Sequence, residues 1–154
     1  MPTKPRIAYE DTKIPVHKTR EEIDRLLRKH GATGMMWAEG EHPAHRGIRI
    51  VVLRFVQRLP QGKDSVTIGV RIMVPVPAVR NEREQDQLLR QYHRVLLNSV
   101  TARFVDIEAG LRTFTEAFFA ELEVGGRTVY EQVGPQYLQA VLQGDIKPLA
   151  LLPG

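Results

Sequence analysis

Val66, Ile68, Val70, Ile72, Val74 and Val76 occupy every second position of one short segment, with Ser65, Thr67, Arg71 and Met73 between them. A period of two marks a strand with one buried face, because successive side chains leave a pleated backbone on opposite sides. Upstream, Gly47–Leu59 is dense in Ile and Val, and Leu59-Pro-Gln-Gly-Lys-Asp64 is a turn that joins the two segments as a hairpin. Pro75 and Pro77 lack the amide proton a ladder needs and are expected to end the second strand. The first strand changes parity. Ile48, Ile50 and Val52 follow one face, then Val51, Leu53 and Phe55 the other. A bulge near Val51–Leu53 would reconcile the halves and put Arg49, Arg54 and Arg58 together on the outer face. Met35–Glu39 supplies a short third strand.

Helical signals flank this sheet. Thr19-Arg-Glu-Glu22 has the spacing of a capping box, with Ile23, Leu26, Leu27 and His30 on one face and Gly31 at the end, so a helix is predicted over about 20–30. Asn81-Glu-Arg-Glu84 opens a second helix of about 82–109, whose expected buried stripe is Leu88, Leu89, Tyr92, Val95, Leu96, Ser99 and Val100. Thr113 and Thr128, each followed three residues later by Glu, cap two further helices around a Gly125-Gly126 turn. His30, near a helix C-terminus, suits a structural role there. Residues 1–16, with three prolines, read as a loosely attached arm, and the apolar Ile146–Leu152 tail as an extended strap.

These signals define a single α+β domain over 1–154. An N-terminal helix is followed by a small curved antiparallel sheet of three strands, with the helical C-terminal half packed on one sheet face. A sheet this small has an open edge, which predicts a homo-oligomer. No apolar run approaches the roughly 20 residues of a membrane span, and the first residues lack the apolar core of a signal peptide. The absence of cysteine excludes disulfides, thiolate catalysis and cysteine-ligated zinc. A cytoplasmic protein is expected.

The chain also resembles a family of small proteins encoded in phage and prophage genomes. The resemblance covers about residues 14–154. It runs through Lys18-Thr19-Arg20 with Glu22-Ile23, then Gly69-Val70-Arg71-Ile72, and is most specific at Thr113-Phe114-Thr115-Glu116, Gly126-Arg127-Thr128-Val129 and Leu151-Leu152-Pro153-Gly154. Tyr92-His93-Arg94 departs from the Arg-Trp-Arg-like segment expected there. The resemblance implies a phage setting, with the cytoplasm of the bacterial host as the location, and no particular chemistry.

Charge carries the functional expectation. Residues 1–80 hold 15 Lys and Arg against 8 Asp and Glu, whereas residues 81–154 hold 7 against 10. Within the strands the cations are Arg46, Arg49, Arg54, Arg58, Lys63 and Arg71, a footprint for a polyanion. Single strands are held by cations along the backbone and aromatic faces under the bases, and Trp37 and Phe55 are the candidates for the second role. The alternative is that the arginines solvate an exposed sheet and pair with carboxylates from the helices. No Gly-x-Ser-x-Gly or phosphate-cradling glycine loop occurs, and no cofactor is expected. Glu39-Gly-Glu41-His42-Pro-Ala-His45 has ligand chemistry but reads as a solvated turn, so no metal is expected. The resulting expectation is a non-enzymatic, sequence-independent single-stranded DNA-binding protein of phage replication or recombination. The alternative is a structural or regulatory protein whose basic face meets an acidic protein partner.

Overall fold

The computed structural model describes residues 8–144. The order is α1 (Val16–Lys29), β1 (Ala32–Glu41), β2 (Ile48–Gln61), β3 (Asp64–Pro77), α2 (Glu82–Glu108), α3 (Phe114–Ala117), a 3-10 turn (Phe119–Glu121), β4 (Glu123–Val124), β5 (Arg127–Thr128) and α4 (Val129–Leu142). Strands β1, β2 and β3 form an antiparallel sheet in that order, and β4–β5 is a separate small hairpin. The class is α+β. Among the described residues no helix is long and apolar enough to cross a membrane.

The β2–β3 ladder is unbroken from Ile48 opposite Pro77 to Gln61 opposite Asp64. The bulge expected in β2 is therefore absent; the one register shift lies in β1, between Ala32 and Gly34. Two apolar parities coexist in β2 because both of its faces carry aliphatic side chains. Val51, Leu53 and Phe55 point to the helices and are buried, whereas Ile48, Ile50 and Val52 lie on the opposite face, half-buried. In β3 the predicted face is the inner one, with Val70, Ile72 and Val76 buried. Pro75 does not end that strand. It pairs opposite Ile50, and a proline fits because β3 is an edge strand with its amide side free.

The core joins Ile23 and Leu27 of α1, Leu53 and Phe55 of β2, Val70 and Ile72 of β3, and Leu96, Val100 and Phe104 of α2. Phe55 meets Phe118 edge-to-face at 5.6 Å and 82°, the arrangement the ring quadrupoles favour. His30 stacks on Phe104 at 4.1 Å, in keeping with its expected structural role. Gly31, at φ 99°, ends α1 in the left-handed region, and the buried Gln57 side chain of β2 donates to the freed His30 carbonyl at 2.7 Å.

Two helices depart from expectation. Helix α1 starts at Val16, after extended Pro15, rather than at a Thr19 cap. Thr19 is instead fully buried, and its hydroxyl accepts from Arg94 of α2, which also pairs with Glu22 at 2.7 Å. The buried stripe of α2 is Gln85, Gln91, His93, Leu96, Val100 and Phe104, so Val95 faces outward and His93, not Tyr92, faces in. The described part of the expected loose arm is also pinned, because Gln87 and Gln91 donate to the carbonyls of Glu10, Thr12 and Ala8. The capping boxes at Thr113 and Thr128 are both formed. Helix α4 buries none of its side chains, with Tyr137 and Leu138 exposed. The expected strap, Ile146–Leu152, lies outside the described residues.

Candidate nucleic-acid interface

Strand parity sorts the expected site residues onto two faces. Arg54, Arg58 and Arg71 share the outer face, and Arg54 stands directly opposite Arg71. Met36, Val56 and Met73 on the same face are exposed, so a ligand can reach this surface. Lys63 is exposed in the β2–β3 turn, and Arg46 is exposed in the β1–β2 connection. Neither has an ion-pair partner among the described residues. Arg58 donates to Ser65 at 2.7 Å across the hairpin.

Three expected members of the face are elsewhere. Arg49 stands two residues before the buried Val51 and shares its face, so it lies on the helix side and approaches Glu39 at 3.8 Å. Phe55 is 1% exposed and packs among Phe114 and Phe118, so it is core and offers no stacking platform. Trp37 stands opposite Leu53, also on the helix side. Its indole N–H donates to Asp24 at 3.0 Å, Arg20 lies 4.8 Å from the ring centre, and His93 is 5.6 Å away. The outer face therefore carries cations and aliphatic side chains but neither expected aromatic.

Two of its arginines are already paired. Glu123 accepts from Arg54 Nε and Nη2, both at 2.8 Å, a bidentate fork. That carboxylate raises the already high Arg54 pKa further, through the hydrogen bond first and the charge second. Arg71 is hydrogen-bonded to Glu131 at the start of α4 and lies 3.9 Å from Glu123. The backbone brings Glu123 there: Leu122 bridges to Val70 on the free edge of β3, so the next residue projects over the outer face. Pairing with a helix carboxylate, the alternative expectation, thus holds for Arg71 through Glu131 of α4, whereas the partner of Arg54 comes from the short strand β4.

At the other end of the sheet, Glu41, His42, His45, Arg46, Arg49 and Arg80 line an open cleft of about 690 Å³. His42 and His45 face each other at 4.6 Å, and His42 Nδ1 accepts from the Ala44 amide at 3.0 Å. Among the described residues no three His, Asp or Glu side chains converge in a way that would hold a metal ion.

The polar cluster that sequence reasoning missed centres on His93, 1% exposed. Its Nε2 accepts from Arg20 Nε at 3.1 Å and its Nδ1 lies 2.7 Å from the Leu89 carbonyl, so the ring is neutral with the proton on Nδ1. Burial holds its pKa below the ordinary value, and the Arg20 charge pushes the same way. Spacing could have found the burial, since residues 93, 96, 100 and 104 make one helical stripe. The Arg20 partner, 73 positions away, has no such signal. Compared with known protein families, curated proteins and solved structures, the chain matches none.

Proposed function

We propose that this protein binds single-stranded DNA without sequence preference and without catalysis, in phage replication or recombination within the bacterial host. The observation that carries the reading is the outward row of Arg54, Arg58 and Arg71, continued by Lys63 at the hairpin turn, on a sheet face where Met36, Val56 and Met73 are exposed. With Trp37 and Phe55 turned to the helices, little stacking energy is available. Binding is then chiefly electrostatic and sensitive to salt. The edge of β1 away from β2 has no strand partner among the described residues, and pairing of two copies there belongs to the same proposal.

The test is a mobility shift with oligo-dT beside duplex of equal length, repeated over a salt series. Oligo-dT should shift, and log affinity should fall linearly with log salt. Arg46→Ala, Arg58→Ala and Lys63→Ala together should flatten that slope by about 2, at roughly 0.7 for each phosphate no longer neutralised. No shift at low salt would refute the reading. A second reading, an acidic protein partner, is favoured by one observation: the Arg54 fork is already filled by a protein carboxylate. It predicts binding to acidic peptide with no shift of either nucleic acid at moderate salt.

A further inference from the structure

Two arginines directly opposite on one sheet face repel each other, and such pairs ordinarily destabilise a ladder. Here Arg54 and Arg71 are such a pair. The position next to Arg71 on the same face is Gly69, which leaves bare backbone beside them. Glu123 lies across that gap, and a Cβ at Gly69 would touch its Oε2 at 3.5 Å. The carboxylate takes both donors of the Arg54 fork, while Arg71 Nε is buried with no hydrogen-bond partner among the described residues, facing Glu123 at 3.9 Å. The site thus has two guanidinium groups, two carboxylates, of which Glu123 lies over the bare backbone of Gly69, and one unused donor.

We infer that Arg54 and Arg71, beside Gly69, form a seat for one phosphate group of a nucleic-acid backbone, which Glu123 fills in the free protein. The inference rests on the nucleic-acid reading above and adds its regulation. A guanidinium fork accepts a phosphodiester as readily as a carboxylate, and each carries a single negative charge. Exchange therefore leaves the charge of the seat unchanged, and Glu131 continues to hold Arg71. Glu123 belongs to a two-residue strand followed by the Gly125-Gly126 turn, so its side chain can swing away without breaking a long ladder. Because it is tethered beside the fork, its effective concentration is high, and it competes with each incoming strand. Free protein then binds weakly, and a strand long enough to reach Arg58 and Lys63 as well displaces the carboxylate.

The test compares oligo-dT binding over a salt series for wild type, Glu123→Gln and Glu21→Gln. Glu21 is an exposed residue of α1, and its substitution makes the same change in net charge. The seat predicts that Glu123→Gln tightens binding roughly fivefold and steepens the salt slope by about 0.7, whereas Glu21→Gln does neither. Adding Arg54→Ala to Glu123→Gln should remove the gain. If Glu123→Gln loosens the fold, seen as a lower melting temperature, Glu123→Asp keeps the charge but withdraws it by one methylene and should give part of the gain. Should wild type bind through Arg46, Arg58 and Lys63 while Glu123→Gln behaves as Glu21→Gln does, the seat is wrong and the nucleic-acid reading stands. Should no variant bind oligo-dT at low salt, both fall.

Discussion

Acidification should destabilise this protein through His93, and the size of the effect follows from its surroundings. The ring is buried and neutral, with Nδ1–H directed at the Leu89 carbonyl and Nε2 accepting from Arg20. A second proton could go only on Nε2, where it would face the Arg20 N–H that the nitrogen now accepts. Desolvation lowers the folded pKa from the ordinary 6.5; the Leu89 carbonyl opposes it, the Arg20 charge adds to it, and Glu39 pulls up least. The unfolded chain therefore binds more protons than the folded one at mildly acid pH. Stability is fully present above the unfolded value and falls as pH drops below it, until the folded ring itself titrates. If His93 stays neutral throughout, moving from pH 7.5 to 5.5 costs about 1.4 kcal/mol. Urea denaturation at the two pH values measures this directly, with His93→Gln as the comparison. Glutamine lacks the titrating ring, so the variant should be less stable at pH 7.5 yet lose less on acidification, by up to about 1.4 kcal/mol. Equal losses in wild type and variant would refute the reasoning.

Two further outcomes concern residues singled out by the sequence. Phe55→Ala should cost about 3–5 kcal/mol in urea denaturation, as expected for a buried phenylalanine. At a temperature where the variant is still folded, it should leave oligo-dT affinity unchanged; a loss of affinity would return Phe55 to the interface. His42→Ala with His45→Ala should leave the melting temperature the same with zinc as with EDTA. A zinc-dependent rise in wild type of several degrees, absent in the double variant, would establish a metal site, because a ligand held by the folded state must stabilise it.

What the sequence determined by itself is what depends on neighbours within a few residues. The β3 face was legible because aliphatic residues alternate without a break from Val66 to Val76. The two capping boxes at Thr113 and Thr128 were legible because both partners of each lie three residues apart. Tertiary structure decided everything that needed a partner from far along the chain. Strand β2 carries aliphatic residues at both parities, so only its pairing with β3 shows that Arg54 and Arg58 face outward while Arg49 and Phe55 do not. Trp37 was directed inward by Asp24 and Arg20 of α1, and nothing in Met35–Ala38 announces that choice. The cap expected at Thr19 was displaced because Arg94, 75 positions away, draws that hydroxyl into the α1–α2 contact. Most consequential for function, the charges of Arg54 and Arg71 are answered by Glu123 and Glu131. A net charge counted along the chain adds those four residues together, whereas binding depends on which of them touch.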